Sequence, residues 1–175
     1  MRITTFVSAA ALALVGTVTL AQSVTYDFDK SANFSRFRTY AWVRGTVLSD
    51  ELNHNRVVNA VNAQLAAKGL TRVETAARPD LLVAYHASFD RDLQITGFSS
   101  GFGPYRFGPG RTGVARTEQI LTGTLAVDIV NASTSAIVWR AMVSKEIDVK
   151  ADPAKRERNI NRAAARLFSN YPPTK

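Results

Sequence analysis

The residues of this chain that could carry chemistry lie mainly between His86 and Gly113. Gly97-Phe98-Ser99-Ser100-Gly101 is a Gly-x-Ser-x-Gly run, the spacing that places a nucleophilic serine on the sharp strand-to-helix turn of a hydrolase. His86, followed by Asp90 and Asp92, is the imidazole base that such a serine would need. The context opposes this chemistry. Phe102-Gly103-Pro104 follows directly, and the glycine and proline content up to Gly113 cannot build the helix that the geometry requires. A flexible Gly-rich loop over 97–113 is expected instead, and no catalytic residue is assigned. The alternative is a hydrolase or lyase using His86 with a carboxylate or Ser99.

Metal and cofactor chemistry have no better support. The chain has no Cys and only His54 and His86, which share no ligand spacing. Asp90-Arg91-Asp92 lacks the further acidic residues of a calcium loop. Gly108-Pro109-Gly110-Arg111-Thr112-Gly113 lacks the Gly-Lys-Ser/Thr of a phosphate loop. No metal and no cofactor are therefore expected.

Two groups could bind rather than react. Tyr105, Arg106 and Arg111 stand among six glycines and further aromatics between Gly97 and Gly113, where rings can stack and guanidinium groups can meet phosphates or carboxylates. Arg158, Arg162 and Arg166 follow Lys155 at helical spacing and line one face of the last helix. The plainer readings are aromatics folded onto the sheet and a solvated basic face.

The elements that position these residues follow from periodicity. Val24–Phe28 and Arg38–Val43 alternate as strands. Asp50–Lys68 is helical, with Val57, Val58, Val61 and Leu65 on one face and His54 solvated in its first turn. Asp50 or Ser49 caps its start, and Gly69 closes its end in the left-handed conformation. Leu70–Glu74 is a short strand. The odd residues of Leu81–Phe89 form one apolar face. Glu118–Val130 and Ala136–Val149 make a hairpin across the polar turn at 131–135, with Ile137, Trp139, Ala141, Val143 and Ile147 on its buried side. A second helix starts at Asp152-Pro153 and runs to about Asn170, with Ile160, Ala164, Leu167 and Tyr171 as its apolar stripe. The expected fold is α+β, a mainly antiparallel sheet of about six strands with two helices packed on one face.

Residues 1–21 read as a signal peptide: Arg2 is the positive start, Phe6–Leu20 the apolar stretch, and Thr19-Leu20-Ala21 the small-residue cleavage site, with Ala21-Gln22-Ser23 a second choice. An uncleaved anchor in the inner membrane is the alternative, disfavoured by the threonines, serine and glycine that dilute the run and by the lack of a basic stop-transfer cluster. Without Cys there is no lipid-acceptor residue and no disulfide. Cleavage after Ala21 leaves 22–175, or 154 of the 175 residues, a length that suits one domain. The full chain carries a net charge of +8. That excess fits an anionic envelope component or a periplasmic protein as partner. Export argues against nucleic acid.

Read in order, Tyr26–Trp42 (YDFDKSANFSRFRTYAW), Leu65–Leu70 (LAAKGL), Arg78–His86 (RPDLLVAYH), Gly123–Ala141 (GTLAVDIVNASTSAIVWRA) and Asn170–Pro173 (NYPP) resemble domain-of-unknown-function family 4136. The resemblance covers nearly all of 22–175. It implies an envelope location in a Gram-negative bacterium and the same α+β fold, and it brings no catalytic residue, because the family has no established activity. Many members look like lipoproteins, whereas Gln22 and Ser23 stand here where a Cys would be. Trp42 and Trp139 read as core anchors, and Arg140 as exposed and paired. The leading functional expectation is a non-enzymatic periplasmic domain that binds an envelope component or partner protein. A purely structural envelope assembly factor is a third reading. Mass spectrometry of the exported protein should find its N-terminus at Gln22 or Val24, and an intact Met1 in the membrane fraction would establish the anchor instead.

Overall fold

The computed structural model describes residues 23–96 and 116–173. Strands β1 (Ser23–Phe28), β2 (Thr39–Trp42), β3 (Thr71–Arg72), β4 (Leu81–Thr96), β5 (Arg116–Asn131) and β6 (Ile137–Glu146) form one sheet in the order β1-β6-β5-β4-β2-β3. Helix α1 (Glu51–Ala67) lies between β2 and β3, and α2 (Pro153–Leu167) follows β6. The pairs β1–β6, β6–β5 and β5–β4 are antiparallel, while β2 runs parallel to both β4 and β3. The fold is α+β, with a mostly antiparallel sheet and both helices on one face.

Local chemistry sets the helix ends. The Asp50 carboxylate accepts the Asn53 N–H and Asp152 accepts the Lys155 N–H, each satisfying an amide that the helix leaves open. Pro153 supplies the first helical position of α2. After α1 the chain turns through Gly69 at φ +83°, where a side chain would be strained.

The inner sheet face and the helices share one core. Leu81, Val83 and Tyr85 of β4, Val127 and Ile129 of β5, and Trp139, Ala141 and Val143 of β6 are buried against Val57, Val61 and Leu65 of α1 and Leu167 of α2. Full burial stabilises each of the Val, Leu and Ile side chains by about 1.5–3 kcal/mol. Trp139 is stacked on Phe168 at 5.1 Å and meets the edge of Tyr171 at 5.3 Å. Burial pushes the Tyr171 phenol far above its ordinary range.

One alternation expected of β6 breaks at its start. A register shift between Ile129 and Val130 pairs Val130 with Ile137, and Ile137 is 46% exposed while Val138 is buried. The extra residue of a bulge turns side chains past it to the other face. Ile147, also expected inside, lies beyond the end of β6 and is 37% exposed.

Asn62 joins α1 to β2. Its Oδ1 accepts both the Tyr40 hydroxyl and the Trp42 Nε1–H, each at 2.8 Å. Asn62→Leu should therefore leave two donors without an acceptor between helix and sheet and lower stability by about 2 kcal/mol. Asn59→Leu, on the exposed face of the same helix, should change it by under about 0.5 kcal/mol; urea denaturation of both variants checks this.

Candidate functional site

His86 lies on the sheet face opposite the helices, and its surroundings account for both ring nitrogens. The Thr46 N–H donates to Nδ1 at 3.1 Å, with the Thr46 hydroxyl also 3.1 Å away. That leaves the ring proton on Nε2, which faces the Asp128 carboxylate at 3.4 Å. Asp128 is 5% exposed and receives the Arg140 Nε–H and an Arg140 terminal N–H, both at 2.5 Å. This bidentate pair raises the Arg140 pKa, through the hydrogen bonds first and the charge of Asp128 second.

The segment carrying Thr46 is bound tightly to β4. The Val43 N–H donates to the Val83 carbonyl, and the Ala87 N–H to the Thr46 carbonyl. A Cβ on Gly45 would stand 2.1 Å from the Tyr85 carbonyl oxygen, so only glycine allows this approach. The His86, Asp128 and Arg140 side chains thus tie the 43–47 segment to β4, β5 and β6. Asp90 and Asp92 are the carboxylates nearest to His86 in the sequence, but the one that faces its ring is Asp128 on the adjacent strand. The diagonal register that brings them together pairs His86 with Ala126 and Asp128 with Ala84.

His54 departs from its expected solvated position. It is half-buried, with Nδ1 2.6 Å from the Tyr85 hydroxyl, which also accepts the Leu48 N–H. Burial pushes the Tyr85 phenol up, and the Leu48 hydrogen bond opposes that shift.

On the helix side the apolar face of the sheet outruns its cover. Val57 and Asn53 from α1 and Asn159, Ile160 and Ala163 from α2 form one wall of a groove of about 360 Å³. Leu121, Gly123, Leu125, Val143 and Phe89 form its floor, with Ile147 and Val149 at the side. Phe89 continues the inward alternation of β4 but is 55% exposed, because no helix reaches it. Gly123 deepens the floor: a Cβ there would lie 2.7 Å from Ile147 Cδ1 and 3.4 Å from Phe89 Cε1. The rim is polar, with Lys145, Glu146, Asp148 and Arg156.

A second, polar cleft of about 760 Å³ lies at the other end of β4, lined by Asn33, Arg36, Arg78, Asp80, Asn131 and Ser133 among others. Amide donations from Arg38 and Thr39 hold the Asp80 carboxyl below the usual range. The groove is the better ligand site, because it joins an apolar wall to a few polar groups.

Of the sequence-derived candidates, Ser99, Tyr105, Arg106 and Arg111 lie outside the described residues. Arg158 and Arg162 are exposed on α2 and Arg166 is half-exposed. None of these three lines the groove, which faces Arg156, Asn159, Ile160 and Ala163. Sequence reasoning missed the groove. Its signals were Gly123 inside an apolar strand and the apolar Ile147 and Val149 just past the end of β6. Among the described residues no group of three or more potential metal ligands occurs, and no helix is long and apolar enough to cross a membrane.

The profile of a family described as domain of unknown function DUF4136 matches residues 24–173. A DUF4136 family protein from Bacteroides thetaiotaomicron has a similar structure, with a TM-score of 0.54 at 19% identity over 86% of this chain and 96% of its own. The PelC dodecamer from Paraburkholderia phytofirmans is similar at 0.53 and 10% identity, over 85% of this chain and 96% of that one. A PDZ domain protein from Parabacteroides distasonis scores 0.56 at 13% identity over 87% of this chain, which spans only 36% of that protein. At these identities the likeness is one of fold. No curated protein matches the sequence.

If the outer-face cluster is a structural tie, Arg140→Leu should lower stability by about 2–3 kcal/mol by leaving the Asp128 carboxylate buried without its main partner. The double variant Asp128→Leu with Arg140→Leu should recover most of that loss in urea denaturation. An equal loss in both would remove the stranded carboxylate as its source.

Proposed function

Since the chain belongs to the DUF4136 family, whose activity is unknown, we propose that it is an exported, non-enzymatic binding domain of the cell envelope, with the groove holding a hydrocarbon chain of its ligand. The single observation that carries this reading is the groove itself. It is an apolar trough left open where β4, β5 and the end of β6 extend past the first turns of α1 and α2. Water over Phe89, Ile147 and Val149 is unfavourable, and each methylene that replaces it contributes about 0.8 kcal/mol.

Signal-peptide cleavage near Ala21 delivers the domain to the periplasm in this reading, and Gln22 and Ser23 rather than a Cys follow that site. Arg158, Arg162 and Arg166 lie on a face of α2 away from the groove and add long-range attraction to anionic envelope surfaces. The hydrolytic alternative has less support. His86 already uses Nδ1 for Thr46 and faces Asp128 with Nε2, and neither the groove nor the polar cleft includes it.

Titration of the purified exported chain with the uncharged fluorophore N-phenylnaphthylamine tests the site. Saturable binding is expected, weakened about tenfold or more by Gly123→Val, which fills the floor, and by Phe89→Ser, which removes an exposed part of that floor without touching the core. Circular dichroism of both variants separates lost binding from lost folding. Unsaturable binding, or affinity unchanged in both folded variants, would overturn the site. Because one protein of similar fold is a dodecamer, the titration is repeated at several protein concentrations; affinity that falls as the chain is concentrated would assign the groove to a second copy and also overturn the reading.

A further inference from the structure

The cations at the mouth of the groove are held in place but not neutralised. Lys145 Nζ donates to Asn159 Oδ1 at 3.2 Å, and Arg156 donates to the Val149 carbonyl at 3.3 Å. Arg56 donates to Oδ1 of the groove residue Asn53 at 2.8 Å. Each of the three therefore rests on a neutral oxygen. Among the described residues none of them forms an ion pair with a carboxylate. Of the two carboxylates on the rim, Asp148 is taken by Lys155 Nζ at 2.7 Å and by the Lys150 N–H at 3.0 Å. Glu146 remains, one negative charge against the two positive ones that line the groove, Lys145 and Arg156, with Arg56 set back behind Asn53, whose side-chain amide also donates to Asp50.

This placement differs from an ordinary basic surface. Arg158, Arg162 and Arg166 lie outside the groove lining, whereas Lys145 and Arg156 line it together with Leu125, Val143, Ile147 and Ile160. A side chain bonded to a neutral acceptor keeps its full charge and has already lost part of its rotamer freedom, so an arriving anion meets an ordered donor. The groove supplies the other half of the ligand. Its volume of about 360 Å³ falls in the lower part of the range for small-molecule sites and has room for about a dozen small groups of on the order of 30 Å³ each.

Resting on the proposal that the groove takes a hydrocarbon chain, we infer that its ligand is a single-chain amphiphile with an anionic, phosphate- or carboxylate-type headgroup. The chain lies on Gly123 and Leu125 between the two helices and β6, and the headgroup sits at Lys145 and Arg156, with Arg56 adding charge from α1.

Displacement of N-phenylnaphthylamine from the exported chain by monomeric dodecyl phosphate, dodecanol and dodecyltrimethylammonium reads the headgroup preference. Dodecyl phosphate should bind about tenfold tighter than the ammonium compound, and the gap should narrow as salt is raised from 20 to about 500 mM. Lys145→Gln with Arg156→Gln should abolish the preference, read as the ratio of the dodecyl phosphate and dodecyltrimethylammonium affinities within that one variant. Shortening the phosphate ligand should weaken it about fourfold per methylene. Inorganic phosphate alone should displace nothing. Equal affinities for the three headgroups, with the fluorophore still bound, would overturn the anionic ligand and leave the groove standing; displacement by inorganic phosphate would show that the cations act without the hydrocarbon site. Failure of the fluorophore to bind would remove both.

Discussion

A mismatch of lengths governs this molecule. Strands β4 and β5 have 16 residues each, about 53 Å of extended chain, whereas α1 and α2 have 17 and 15 residues, about 25 Å and 22 Å of helix. An amphipathic sheet needs its apolar face covered, and two helices of that length cannot cover strands of this one. Where the cover is complete, Leu81, Val83, Tyr85, Val127 and Ile129 are buried. Where it ends, the same alternation continues into Phe89 and Leu121, and the groove begins. The candidate site is therefore the continuation of the core beyond its cover.

The opposite face is held by polar interactions instead. Asp128 is the buried charge there, and it is tolerated because Arg140 donates to both of its oxygens while His86 faces it from the next strand. Thr46 completes the set by donating to the far side of the imidazole. Because both β2 and the segment after it lie alongside β4, this cluster links the parallel part of the sheet to its antiparallel part. Substituting one member disturbs three strands, which is sufficient reason for these residue types without invoking catalysis.

Local chemistry was legible in the sequence and long-range pairing was not. The caps at Asp50 and Asp152, Gly69 and Pro153 depend on neighbours within a few residues, and each stands where the pattern predicts it. Arg140 was legible as a paired residue because Trp139 fixes its parity. Its partner was not, since Asp128 is identified only once β5 and β6 are in register. The same limit hid the Tyr85 partner of His54, the parallel pairing of β2, and the bulge that exposes Ile137. The groove was hidden for a different reason: periodicity reports which face of a strand is apolar, but the point at which a helix stops covering it depends on how two separate elements are placed.

Gly123 shows how closely the groove depends on that placement. A glycine inside a strand weakens it by roughly 0.5–1 kcal/mol relative to alanine, and here the row Phe89, Gly123 and Lys145 crosses three strands with its central side chain missing. Ile147 leans over the gap, within 3 Å of where a Cβ would be. Filling the gap with an apolar side chain would improve strand propensity but would displace Ile147 and close the floor against Phe89. The conformational penalty and the exposure of Phe89 both act against the domain, and an apolar ligand of the proposed kind would offset the second. Stability of the domain and occupancy of the groove are then linked, since whatever binds only the folded chain stabilises it in proportion to the logarithm of its concentration.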